Sequence, residues 1–146
     1  MPTHDLLLNG NVWDARNGGR PDHWIAVQGG TIVDVAAEKP GEAPVERTAE
    51  TIIPGLCDMH VHLVWDGSGD PVQTLRAESE QETTLRAVRN AREQLRGGVT
   101  TVRDVGSVGD IAIPVGRAVE DGWITGPRTY ASGKTIIISG GHDPFW

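Results

Sequence analysis

The first 54 residues alternate short apolar runs with breaks rich in glycine and proline, which is typical of a small β-sheet domain. Apolar stretches on both sides of a two-residue turn containing glycine predict a hairpin. We therefore expect turns at Asn9-Gly10 and at Gly29-Gly30. The predicted strands are 6–8, 12–13, 24–27, 31–35 and 50–53, with a loop over 38–44.

After Pro54 the pattern changes to longer segments that alternate between strand and helix. Residues 73–96 have the composition of a helix, and their predicted buried stripe recurs every three or four positions. That stripe is Leu85, Val88, Ala91 and Leu95. Asp110 is a candidate N-cap for a second helix over 111–121. The predicted strands are 56–63, 99–103 and 128–131, followed by an apolar run over 136–138.

This alternation favours right-handed βαβ units around a parallel sheet. Two architectures fit the pattern equally well: an open doubly wound sheet and the beginning of a (β/α)₈ barrel. The order of elements does not distinguish them.

Composition excludes several classes of protein. Cys57 is the only cysteine, so an internal disulfide is impossible and a reducing compartment is the default expectation. No apolar run approaches the length of a membrane helix, about 20 residues, and the N-terminus does not resemble a secretory signal. A net charge of −7 argues against a nucleic-acid surface. We expect a cytoplasmic protein without nucleic-acid or membrane partners.

The segment PGLCDMHVHL, residues 54–63, carries the strongest chemical signal. Side chains alternate faces along a strand, so Leu56, Asp58, His60 and His62 are predicted to share one face. The opposite face is predicted to be apolar: Cys57, Met59, Val61 and Leu63. Two neutral imidazoles at the C-terminal end of a barrel strand can occupy two positions on one divalent metal, commonly zinc. The alternative interpretation is a pair of ordinary polar residues on a half-exposed strand.

The same segment resembles the P-G-x-x-D-x-H-x-H motif on the first barrel strand of the metal-dependent amidohydrolase superfamily. Two later segments resemble the second barrel strand and the third strand with its loop: GGVTTVRDVGS (97–107) and GPRTYASGKTIIISGGHDPFW (126–146). These two favour the subgroup of imidazolonepropionase-like enzymes and prolidase-like dipeptidases. The β-rich leader resembles the small β-sandwich that precedes the barrel in many members.

The resemblance implies an α/β fold in which residues 1–54 form part of a small β-sandwich. Residues 55–146 would form about three strands of a TIM-type (β/α)₈ barrel, the N-terminal part of a longer chain. The implied activity is hydrolysis of carbon–nitrogen bonds in a small amide or dipeptide, with water activated by one or two divalent ions, expected to be zinc. The resemblance leaves open whether the protein forms a homo-oligomer.

The resemblance also assigns site residues. His60 and His62 are the expected metal ligands. The remaining ligands and the general base are expected on strands beyond Trp146, so no catalytic residue is assigned within these 146 residues, which we expect to be inactive alone. Asp104 is predicted to orient a ligand histidine, with a loop cap or salt bridge as the alternative. His142 is predicted to bind substrate, with a solvent-facing position as the alternative.

Two other functions remain compatible with the sequence. One is a different barrel hydrolase with an HxH pair, such as a phosphoesterase or a TatD-like nuclease. Such proteins usually begin close to that pair, whereas more than fifty residues precede it here. The other is a non-catalytic β and βαβ module that keeps the histidines.

Overall fold

The computed structural model describes residues 3–141 and has a mixed α/β fold. It divides into two compact units, Met1–Pro54 and Gly55–Trp146. Within the described residues, no helix combines the length and apolarity that crossing a membrane requires.

The first unit is a four-stranded sheet in the order β3-β2-β1-β4. Its strands are β1 (Leu6–Asp14), β2 (Gly18–Gln28), β3 (Thr31–Ala36) and β4 (Val45–Ile52). β2 is antiparallel to both β1 and β3, whereas β4 is parallel to β1. The turn predicted at Gly29-Gly30 is confirmed, with φ of +57° and +74°, values that glycine adopts without steric cost. The loop predicted over 38–44 is also confirmed.

The turn predicted at Asn9-Gly10 is wrong, because both residues lie inside the continuous strand β1. A side chain at Gly10 would collide with the Ala49 carbonyl of the neighbouring β4, so the glycine permits close approach of two backbones. The chain reverses instead at residues 15–17. There the carboxylate of Asp14 accepts hydrogen bonds from the backbone N–H groups of Arg16 and Asn17.

The second unit has the predicted alternation of strands and helices. Its elements are β5 (Leu56–Val61), α1 (Pro71–Ala77), α2 (Glu80–Arg96), β6 (Val99–Asp104), α3 (Ala112–Glu120) and β7 (Arg128–Ala131). The three strands are parallel and lie in sequence order, β5-β6-β7. Its core is apolar: Val61, Leu63, Val64, Ala87, Ala91, Val102, Ile111 and Val115.

The single helix predicted over 73–96 is two helices, α1 and α2. Glu78 has extended backbone, and Ser79 starts α2 through a capping box with Glu82, which satisfies backbone N–H groups at the new helix end. The predicted stripe is also shifted. The buried residues of α2 are Thr83, Arg86, Ala87 and Ala91, and Leu85 is 70% exposed.

One prediction near the third strand is also corrected. Asp110 has a positive φ and does not cap α3. The buried hydroxyl of Ser107 instead accepts a hydrogen bond from the Ala112 N–H at 3.2 Å. The apolar run over 136–138 forms no strand. Two of its side chains, Ile136 and Ile138, are more than 80% exposed.

Candidate metal centre

The faces of β5 differ from strict alternation because, between Asp58 and Val61, the strand contains one extra residue relative to β6. Asp58 pairs with Val102 and Val61 pairs with Asp104, so three steps along β5 match two along β6. Val102 and Asp104 are both buried on the face that packs against the helices. Asp58 therefore shares the face of Val61, opposite the histidines.

This correction changes both predicted faces. Leu56 and Asp58 do not lie on the histidine face, because the register slip reverses the alternation between them and His60. The predicted apolar face is only half buried: Val61 and Leu63 are in the core, whereas Cys57 and Met59 are exposed.

His60 and His62 flank the buried Val61 and line one shallow depression at the C-terminal end of the sheet. Their ring centroids are 5.5 Å apart, with an interplanar angle of 71°. Two imidazoles that bind one zinc ion at the usual Zn–N distance of about 2.0–2.1 Å place their centroids about 5 Å apart. The separation of the two rings therefore fits a shared metal ion.

The ring of His62 is held on two sides. Its Nδ1 is 2.9 Å from the carbonyl oxygen of Gly106. A carbonyl only accepts, so Nδ1 carries the proton and Nε2 keeps a free lone pair. The Trp65 ring stacks on the imidazole at 4.2 Å, with an angle of 19° between the planes. A metal-binding histidine is commonly oriented by a bond from its other ring nitrogen.

Asp104 is fully buried at the end of β6. Its carboxylate accepts hydrogen bonds from the backbone N–H of Leu63 at 2.7 Å and of Gly106 at 3.1 Å. Burial raises the pKa of Asp104, and the two N–H donors oppose that rise. Asp104 does not hydrogen-bond a histidine directly. Asp104 instead accepts from the N–H of Gly106, whose carbonyl accepts from His62. Asp104 therefore caps the loop and contacts the imidazole only indirectly, through Gly106.

Two side chains of α2 hold the backbone that follows the histidines. Asn90 Nδ2 donates to the carbonyls of Leu63 at 2.7 Å and Trp65 at 2.6 Å. Arg86 Nε donates to the intervening carbonyl of Val64 at 3.0 Å, and its guanidinium forms a partly buried ion pair with Glu78. Three consecutive carbonyls are thereby satisfied.

The sequence prediction missed Arg86 and Asn90 because its buried stripe ran through Leu85, Val88, Ala91 and Leu95, of which only Ala91 is among the buried residues of α2. Ala87 and Ala91 lie on the true buried face, and Arg86 and Asn90 immediately precede them in the sequence. A charged and an amide side chain beside small apolar residues was the available signal, since buried polar groups are usually hydrogen-bonded.

The depression beside the histidines has an apolar wall. Trp65 contributes to it, together with Val105, Thr135, Ile136 and Ile137. Gly106 lies so close to Thr135 that any side chain there would collide with the threonine hydroxyl. Trp65 thus stacks on the ring of His62 and also forms part of this wall. His142, which the sequence predicts to bind substrate, lies outside the described residues.

Asp66 begins the loop between Trp65 and α1, and its carboxylate is occupied by local hydrogen bonds. It accepts from the Thr74 hydroxyl at 2.5 Å and from the Ser68 N–H at 2.9 Å. These bonds lower the pKa of Asp66 to about 2. Asp66 therefore shapes the loop.

Within residues 3–141, no three histidine, cysteine, aspartate or glutamate side chains lie together as a metal-binding group. His60 and His62 are thus two donors whose spacing and tautomer suit a divalent metal. A tetrahedral zinc site needs further ligands beyond these two.

Comparisons with known proteins point to one family. The sequence model of the amidohydrolase family matches residues 51–142. Ochratoxinase from Aspergillus niger is 33% identical over 93 residues, which are 62% of this chain and 18% of the relative. Allantoinase from Enterococcus faecalis is 35% identical over 81 residues, 56% of this chain and 16% of the relative.

Solved structures give the same picture over nearly the whole chain. A prolidase complexed with N-methylphosphonate-L-proline superposes with a TM-score of 0.81 at 27% identity, covering 97% of this chain and 35% of its own. A Xaa-Pro dipeptidase with bound methionine has a TM-score of 0.81 at 26% identity, covering 95% and 36%. The chain thus spans about a third of these structures and less than a fifth of the curated relatives.

Proposed function

This chain belongs to the amidohydrolase family, as its motifs predicted, and from that premise we propose that the whole protein is a metal-dependent hydrolase of carbon–nitrogen bonds. Residues 55–146 would form the first part of a (β/α)₈ barrel, and residues 1–54 would contribute to a β-sandwich. The sequential order of three parallel strands supports a barrel, because a doubly wound sheet reverses its strand order at a switch point.

One observation carries the proposal: His62 is held through Nδ1 and by Trp65, with Nε2 left free beside His60. These two imidazoles would hold a divalent metal, for which zinc is the first candidate. A metal at such a site lowers the pKa of bound water and polarises a carbonyl. Members of the family are generally metal-dependent.

The described residues would bind and orient rather than transfer protons. His60 and His62 supply two metal ligands, and Trp65 packs against the second ring and shields it from solvent. Asp104 fixes the Gly106 carbonyl to which His62 donates. We assign the general base and the remaining ligands to other parts of the whole protein, and no catalytic residue to residues 3–141.

The substrate class we propose is a small amide or dipeptide. A prolidase and a Xaa-Pro dipeptidase are among the structural relatives, and ochratoxinase and allantoinase are among the sequence relatives. The apolar wall of Trp65, Val105 and Ile137 supports an uncharged group next to the metal. His142 follows that wall in sequence and is proposed to contact substrate.

Hydrolysis by the whole protein tests this function. We expect turnover of Xaa-Pro dipeptides or N-acyl amino acids that disappears after treatment with a chelator and returns with zinc. His60→Ala and His62→Ala should each lower kcat/KM by at least about a hundredfold, because removing even a residue that only orients a metal ligand typically costs about 10–100-fold. His23→Ala, a surface histidine of the first unit, is the matched control. Full activity in either variant, or in chelator, would refute the proposal.

A further inference from the structure

The extra residue in β5 forms a β-bulge that contains the first histidine of the pair, His60. Asp58 pairs with Val102 and Val61 with Asp104, so Met59 and His60 together lie opposite Arg103. A bulge leaves backbone groups of the inserted residue outside the regular ladder and bends the strand. Bulges of this kind often redirect side chains next to functional sites.

Side chains satisfy backbone groups on both bulged residues. The carboxylate oxygen Oδ1 of Asp58 accepts a hydrogen bond from the backbone N–H of His60 at 3.1 Å. Arg103 Nε donates to the carbonyl of Met59 at 2.7 Å. Asp58 on β5 and Arg103 on β6 thus each hydrogen-bond a backbone group of the bulge. Neither side chain forms an ion pair within residues 3–141.

The two histidines are held in different ways. The His62 ring has a carbonyl partner and a stacked indole. The exposed His60 ring makes no side-chain hydrogen bond within the described residues, and its ring contact is with His62. Its position therefore depends on its backbone, which is the bulge itself.

We propose that Asp58 and Arg103 are positioning residues that fix this bulge and thereby set the spacing of the His60 and His62 rings. The inference rests on the proposed metal site and deepens it. Neither residue is a metal ligand in this account. Asp58 accepts a hydrogen bond from the His60 N–H, and Arg103 donates one to the Met59 carbonyl. We call this pair of hydrogen bonds the clamp, and it orients His60 toward His62.

Zinc titration of the full chain tests the clamp, with the histidine ring signals followed by NMR after ¹⁵N-histidine labelling. We expect Asp58→Ala and Arg103→Met each to weaken zinc binding by about tenfold, the usual scale for residues that orient a ligand. Asp58→Asn keeps an oxygen acceptor and Arg103→Lys keeps an N–H donor, so both should bind zinc nearly as tightly as the wild type.

The His62 signals separate this effect from general unfolding. In all four variants the Nδ1–H tautomer of His62 should persist, because its partner Gly106 lies on another loop. Zinc affinity equal to wild type in both Asp58→Ala and Arg103→Met would overturn the clamp. Equal loss in the conservative and the drastic variants would overturn it as well.

The two proposals fail in distinguishable ways. If the wild type binds zinc and His60→Ala abolishes binding, but Asp58→Ala and Arg103→Met bind normally, only the clamp is wrong. If the wild type does not bind zinc through these histidines, both the proposed metal site and the clamp are refuted.

Discussion

Replacing Asp104 with alanine is expected to lower the free energy of unfolding of the second unit by about 3 kcal/mol, because two buried N–H donors lose their acceptor. The carboxylate accepts from the N–H groups of Leu63 and Gly106 in a fully buried position. An unsatisfied buried donor costs about 1–3 kcal/mol. Urea unfolding followed by circular dichroism measures the loss.

Two variants control this experiment. Asp104→Asn keeps one carbonyl acceptor but turns an amide N–H toward the other donor, so we expect an intermediate loss. Asp121→Ala removes an exposed carboxylate of the same unit and should change stability by less than about 0.5 kcal/mol. A loss of similar size in Asp121→Ala and Asp104→Ala would contradict the role given to the buried carboxylate.

The second large effect is expected at Arg86, whose side chain is only 7% exposed. Arg86→Ala leaves the Glu78 carboxylate without its cation and the Val64 carbonyl without its donor. Removing one partner of a fully buried ion pair typically costs about 3–5 kcal/mol, and because a quarter of the Glu78 side chain is exposed we expect a smaller loss of about 2–3 kcal/mol. The same substitution should alter Trp65 fluorescence, because the Val64 carbonyl that loses its donor belongs to the peptide group directly before Trp65.

Arg96 on the same helix provides the matched control. It pairs with Glu93 three residues earlier, and both side chains are more than half exposed. Exposed pairs contribute about 0–1 kcal/mol, so Arg96→Ala should be nearly neutral. An Arg86→Ala variant as stable as Arg96→Ala would show that the partly buried ion pair does not support the loop after the histidines.

Local patterns were sufficient to predict the main elements of the second unit. The alternation of strand-like and helical segments after Pro54 predicted the parallel strands β5, β6 and β7. The break between α1 and α2 also had a local signal, because Ser79 and Glu82 have the spacing of a capping box. Reading residues 73–96 by composition alone concealed it.

The faces of β5 could not be predicted from periodicity. Strict alternation assigns Asp58 to the histidine face, but a register slip depends on how β5 pairs with β6, more than forty residues later. The contacts that hold the backbone after His62 are likewise long-range: Asn90 and Arg86 reach carbonyls 22–27 residues away. The neighbouring alanines could have marked Arg86 and Asn90 as buried polar residues, but which carbonyls they reach follows from tertiary packing.

The most direct test of the metal site is the ¹⁵N-histidine spectrum of the full chain before and during zinc titration. We predict that His62 is protonated at Nδ1 before zinc is added, and that its Nε2 shifts together with a ring nitrogen of His60 as weak binding develops. His60→Ala and His62→Ala should each abolish these shifts, and His23→Ala should leave them unchanged. An Nε2–H tautomer at His62, or zinc binding that survives both substitutions, would contradict the account.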